Sequence, residues 1–309
     1  MNTLSPLEKE KIYDLISESA TDGLTGTIQL WDTLTIPYIS DPGLSDDLKK
    51  RFKQAAKEIY DKTEVRLVSC NQDAIKKKSV RAFMYLGKFS DFCKEPGAAC
   101  SKGIGMKLKT GLDKLSKPDE EAEKAFAASG APMGFKESNN VMVIAHEFLH
   151  RLGLAHQHQS PYANKFIKVD QSDKDNCAPN GIYWLPYYDP ASVMHYGLQE
   201  CNKMELDCES SPKGGNRYNL KCKAIDEQIS KYVCLYGTQS SGNKCFQRPE
   251  ELLGGPKLGP AIRYSDNKFG QRECLSMLDQ AWLLSRYAIV EKDEYGLEKM
   301  IADGLCEAN

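Results

Sequence analysis

Two histidines, His146 and His150, carry the strongest chemical signal in the sequence. Residues four apart lie on one face of an α-helix, so both imidazoles can reach one metal ion at about 2.0–2.1 Å. Glu147 follows the first histidine and is displaced around the helix by about 100°. Its carboxylate can act on a water beside the metal without being a ligand. The pattern predicts a catalytic zinc site with its own general base.

A third histidine, His156, would point away from the first two if the helix continued. Gly153 lies before it and can take the positive φ that ends a helix, after which the chain turns and brings His156 to the metal. Three protein ligands leave a position open for water, as a catalytic zinc requires. Chance histidines on a core helix are the alternative. It is disfavoured because the chain has only five histidines, which fall at 146, 150, 156, 158 and 195.

A second segment, Ser-Val-Met-His-Tyr at 192–196, follows the third histidine. Methionine is soft and polarisable, and Met194 can pack beneath a metal. By itself it would be an ordinary core residue. Downstream of the extended zinc motif, it is typical of the Met-turn of the metzincins.

Together these segments resemble the astacin family of zinc metalloendopeptidases, within the metzincin clan. The likeness covers roughly residues 31–288, with insertions near 109–138 and 200–262. The resemblance implies an α+β, two-lobed zincin fold. An N-terminal lobe of twisted mixed sheet with helices would face an irregular, disulfide-braced C-terminal lobe, with zinc in the cleft.

The resemblance also implies a mechanism and a substrate class. One Zn²⁺ would be held by His146, His150 and His156, with Tyr196 as a further ligand at rest that moves to stabilise the tetrahedral intermediate. Glu147 would be the general base towards a metal-activated water. The chain would be an endopeptidase that cleaves peptide or protein substrates. Two alternatives stay open, an inactive zinc-binding module that recognises a partner protein and an amidase or deacetylase.

Composition narrows the other classes of function. The formal net charge of −2 gives no indication of nucleic-acid binding. The sequence contains no run of about 18 apolar residues, so we expect no transmembrane helix. The 11 cysteines favour disulfides in an oxidising compartment, with at least one thiol left over because the count is odd. We therefore expect a secreted or extracellular protein, although the N-terminus lacks the apolar stretch of a signal peptide. A processed chain, another export route or an intracellular location are the alternatives.

The expected organisation follows from periodicity and from the resemblance. Residues 1–30 would be an N-terminal extension or pro-segment remnant, 31–289 the peptidase domain with lobes at 31–156 and 157–289, and 290–309 a C-terminal tail. Hydrophobic spacing predicts helices at 6–19, 45–61, 141–151 and 274–287, strands at 31–40, 65–69 and 79–90, an inserted loop with a short helix at 109–138, and irregular chain at 203–259.

Overall fold

A computed structural model describes residues 30–77, 79–94, 97, 99–107, 129–160, 163, 167–168, 177, 192–196, 205–206, 275–287 and 295–307. The helix predicted at 6–19 and most of the segment at 203–259 lie outside these residues. The described chain forms two compact units. One holds the described residues up to Leu154 and from Leu283 onward, and the other holds those from Ala155 to Trp282. The predicted domain limits stay a prediction.

The helices and strands of the described residues are numbered in chain order. They are β1 (Thr35–Ser40), α1 (Asp46–Thr63), β2 (Arg66–Cys70), α2 (Gln72–Lys76), β3 (Met84–Lys88), α3 (Phe89–Phe92), β4 (Ala99–Ser101), β5 (Ala131–Phe135), α4 (Val141–Arg151), a 3₁₀ turn (Gln157–Gln159), β6 (Ile167–Lys168), β7 (Glu205–Leu206), α5 (Met277–Tyr287), α6 (Leu297–Ala302) and β8 (Cys306–Glu307).

A six-stranded mixed sheet forms the centre of the first unit, in the order β4-β5-β3-β1-β2-β8. The four inner strands are parallel, while β4 and β8 close the two edges as antiparallel strands. Phe52 and Phe135 pack with ring centroids 4.9 Å apart, which joins α1 to β5. The predicted α+β class, with a mixed sheet, helices and disulfides, is confirmed.

The first long helix, α1, begins where its sequence predicts. The Ser45 hydroxyl accepts a hydrogen bond from the Leu48 backbone N–H, which satisfies one of the unpaired donors of the first turn. Leu48, Phe52 and Ile59 recur at helical spacing and are fully buried. The helix ends before Glu64, which has a φ of 63°. The helix predicted at 45–61 is confirmed to within two residues.

The strand β5 lies inside the segment 109–138, where an inserted loop was predicted, and that prediction is wrong for these five residues. Ala-Pro-Met-Gly-Phe has no β-branched residue and contains both residue types that interrupt strands. Pro132 is nevertheless accommodated in the strand. Its carbonyl accepts hydrogen bonds from the Lys102 N–H and from the Arg151 side chain. A Cβ at Gly134 would clash with Cys93 Sγ, so only glycine fits at this position of the strand.

The described residues 295–307 fall within the segment predicted as a C-terminal tail, 290–309, and they include a helix and a strand. The strand β8 pairs antiparallel with β2, and a disulfide joins Cys70 to Cys306. Tyr295, Leu297 and Met300 are buried in a core cluster with residues of β2 and α2. Pairing between cysteines this far apart cannot be read from spacing, so this strand could not be predicted from the sequence.

A second disulfide joins Cys93 to Cys100, and Cys177 is disulfide-bonded as well. Every cysteine in the described residues is therefore oxidised, as predicted. None of the helices in the described part of the chain has the length and apolar character that crossing a membrane requires.

Candidate active site

The helix α4 carries the first two histidines and is confirmed at its predicted limits. The Asn140 side chain accepts hydrogen bonds from the backbone N–H groups of Met142 and Val143, which caps the helix N-terminus. From Ile144 to Arg151 every side chain is buried. Neighbouring residues thus surround most of the helix. Their packing restricts the rotamers of His146, Glu147 and His150.

Three imidazoles converge in the structure. His146, His150 and His156 each offer one ring nitrogen, and these atoms lie within 4.8 Å of one another. The rings of His146 and His150 are nearly perpendicular, with centroids 4.7 Å apart. His150 Nδ1 lies 2.8 Å from the carbonyl oxygen of Leu154, so a proton on Nδ1 leaves Nε2 as the donor to a metal. A buried set of three imidazole donors suits one zinc ion.

The turn after α4 brings the third histidine back. The Leu154 N–H donates to the carbonyl of Leu149, and the Gly153 N–H donates to that of His150. This pair of bonds is the Schellman arrangement, which requires a residue with positive φ after the helix. Gly153 has a φ of 105°, which confirms the predicted helix end.

Substitution of this glycine tests the turn. We expect Gly153→Ala to destabilise the chain by about 1–2 kcal/mol, because a Cβ disfavours positive φ, and to weaken zinc binding because His156 is displaced. Thermal unfolding and a zinc titration would measure both effects. Gly304→Ala, at a φ of 70° with open space around its Cβ, is the matched control, and it should lower stability without changing zinc affinity. Equal zinc affinity in both variants would contradict this role of Gly153.

A buried arginine lies beside the predicted general base. Arg151 is four residues after Glu147, is 2% exposed, and donates from Nη2 to the Pro132 carbonyl at 2.9 Å. Its own carbonyl accepts a hydrogen bond from Trp31 Nε1 at 2.7 Å. Burial lowers the pKa of Arg151 to about 10, and the negative charge of Glu147 opposes that shift. Arg151 is therefore a cation at neutral pH. It was not predicted from the sequence, although the i, i+4 spacing of Glu147 and Arg151 was a signal.

The Ser-Val-Met-His-Tyr segment lies close to the third histidine. Met194 is fully buried, and its carbonyl accepts a hydrogen bond from the Gln157 N–H at 3.0 Å. The ring of Tyr196 lies 4.2 Å from that of His156, centroid to centroid, and 4.5 Å from that of His158. The structure thus brings Tyr196 beside a histidine of the cluster, while its predicted role stays a prediction.

The segment that contains the histidine cluster is similar to known proteins. Residues 133–208 match the model of the Astacin peptidase family. The chain is 25% identical over 203 residues to the zinc metalloproteinase nas-14 of Caenorhabditis elegans, covering 62% of this chain and 34% of that protein. It therefore spans about a third of the length of that relative.

Two solved structures are more distant. High choriolytic enzyme 1, a hatching enzyme zinc-protease from the medaka Oryzias latipes, is 16% identical over 64% of this chain and 92% of its own, with a TM-score of 0.43. Myroilysin is 15% identical over 84% of this chain and 95% of its own, with a TM-score of 0.40.

The segment matched by the family model contains all three clustered histidines, Glu147 and Met194. This match confirms that the chain resembles the astacin family.

Proposed function

We propose that this chain is a zinc-dependent endopeptidase that hydrolyses peptide bonds in protein substrates. The observation that carries the proposal is the cluster of three buried imidazoles, with the Glu147 carboxylate on the helix that carries two of them. The match to a peptidase family across this segment, and the likeness to a protein named zinc metalloproteinase, support it.

His146, His150 and His156 would hold the ion. Zinc in such a site would supply Lewis acidity, which polarises a carbonyl and lowers the pKa of water to about 7. A hydrogen bond from His150 Nδ1 to the Leu154 carbonyl supports this set of ligands. It orients the imidazole ring and keeps the proton on Nδ1, so Nε2 is the nitrogen that can bind the metal.

Glu147 would be the general base. It takes a proton from the water that attacks the peptide carbonyl, and it delivers that proton to the nitrogen of the departing amine. The carboxylate has a buried cation nearby in Arg151. No covalent acyl-enzyme is formed in this scheme.

Tyr196 and Met194 would complete the site. The phenol of Tyr196 donates a hydrogen bond to the oxyanion that develops on the attacked carbonyl, a role that requires it to lie near the zinc ligands. Met194 would pack as the buried floor of the site.

The oxidised cysteines favour an oxidising compartment, so we propose that the protein acts outside the cell.

Digestion of a denatured protein tests the reaction class. The chain is incubated with denatured casein, and the products are sequenced by mass spectrometry. We expect new termini inside the casein chain, at many positions, as an endopeptidase produces. Release of small groups with an intact casein backbone would instead indicate an amidase or deacetylase. Zinc binding without any cleavage would contradict the proposal and favour the partner-binding module.

A further inference from the structure

Asp279 lies outside the zinc motif and is 1% exposed. It occupies the first turn of α5, where its backbone N–H donates to the Ser276 hydroxyl at 2.9 Å and its Oδ2 accepts from the Ser276 N–H at 3.0 Å. This reciprocal pair is a capping box, which explains a polar side chain at the start of this helix. It does not explain the two further hydrogen bonds that the same carboxylate accepts.

Those two bonds come from the segment at 192–196. The Ser192 hydroxyl donates to Asp279 Oδ1, and the Val193 N–H donates to Oδ2 at 3.1 Å. Ser192 Oγ in turn accepts from the Met194 N–H at 2.9 Å. One carboxylate therefore fixes three consecutive residues of the turn, two of them directly and Met194 through Ser192.

The turn held in this way ends at Tyr196, whose ring lies against His156. Its middle is fixed as well, because the Met194 carbonyl accepts from the Gln157 N–H, next to that same histidine. A buried carboxylate is costly unless several donors surround it. Burial raises the pKa of Asp279, and the hydrogen bonds from Ser192, Ser276 and Val193 lower it in part.

We infer that Asp279 is a positioning residue for the proposed peptidase reaction: its carboxylate holds the Ser192–Tyr196 turn so that Tyr196 lies beside His156. The inference rests on the proposed function for its effect on catalysis, but the hydrogen bonds that it invokes are independent of turnover. It assigns no contact between Asp279 and the substrate or the metal. The sequence signal for the helix cap is Ser-x-x-Asp at 276–279, and nothing in that pattern predicts the link to the turn.

Asp279→Asn and Ser276→Ala form a matched pair of variants. The asparagine offers one acceptor oxygen where the carboxylate accepted three hydrogen bonds, and its NH₂ group opposes a donor. The alanine removes the hydroxyl that caps the helix but leaves the carboxylate on Ser192 and Val193. Hydrogen exchange with mass spectrometry on the zinc-loaded full chain reports the protection of the peptide that contains 192–196. Zinc content, kcat and KM are measured on the same preparations.

For Asp279→Asn we expect exchange in that peptide to accelerate about tenfold. We expect kcat to fall about tenfold, which corresponds to 1.36 kcal/mol, with KM changed by less than about twofold and zinc content unchanged. Ser276→Ala should lower thermal stability and leave the turn's exchange and kcat near those of the unmodified chain. Unchanged exchange in Asp279→Asn, or an equal loss of protection in Ser276→Ala, would overturn the inference.

A third variant keeps the test decisive if Asp279→Asn does not fold. Ser192→Ala removes one donor to Asp279 and the acceptor for Met194, at a smaller cost in stability. It should accelerate exchange in the same peptide, and no change there would overturn the inference. If the unmodified chain shows no turnover, the proposed function fails, while the exchange of the turn still decides whether Asp279 holds it.

Discussion

Glu147→Gln should lower kcat on a denatured protein substrate by about 10²–10⁴-fold, while the chain still binds one zinc. The amide keeps the shape of the carboxylate but cannot accept the proton of the attacking water. The three imidazoles that would hold the metal are not altered, so zinc content should stay the same. Product release followed by mass spectrometry, and metal analysis on the same sample, measure both quantities.

The control for this variant is Glu298→Gln. Glu298 lies on α6 and pairs with Arg66 at the surface, so its loss should leave both activity and zinc content unchanged. Thermal unfolding is recorded for both variants, since Arg151 loses its anionic neighbour when Glu147 becomes an amide. Near-normal cleavage by a folded, zinc-loaded Glu147→Gln chain would show that another group is the base.

His156→Ala should remove both the zinc and the zinc-dependent cleavage. The cluster then has two imidazoles in place of three, and a site with two protein ligands binds the ion too weakly to keep it. Because a ligand that binds only the folded chain stabilises it, added zinc should raise the melting temperature of the unmodified chain. At 100 times Kd the gain is about 2.7 kcal/mol. The variant should not show this gain.

His158→Asn is the matched control for zinc content. His158 is buried and stacks on His156 with ring centroids 5.3 Å apart, but it is not one of the three converging histidines. This variant should keep one zinc per chain. If His156→Ala retained the metal, or if His158→Asn lost it, the ligand set proposed for this site would be incorrect.

Local spacing predicted the centre of the site. The positions of His146 and His150 depend only on helical geometry, and the return of His156 depends on one glycine with positive φ. Both are short-range effects that a sequence displays directly. For the same reason α1 and its Ser45 cap were predicted to within two residues.

Contacts between residues far apart in the chain could not be predicted from the sequence. The strand β5 is stabilised by its neighbours on both sides, which overcome the poor strand propensity of Pro132 and Gly134. The pairing of Cys70 with Cys306, and hence β8, joins two chain segments of the first unit that are distant in sequence. Asp279 falls within the helix predicted at 274–287, but its link to the turn could not be predicted, because its hydrogen bond with Ser192 spans 87 positions.

The most direct test of the central claim is to remove the metal and return it. Zinc per chain and cleavage of denatured casein are measured on one sample before treatment with 1,10-phenanthroline, after it, and after zinc is added back. We predict about one zinc per chain, cleavage that stops with the chelator, and cleavage that returns with zinc. A chain that contains no zinc, or that cleaves equally well once its zinc is gone, would contradict the claim.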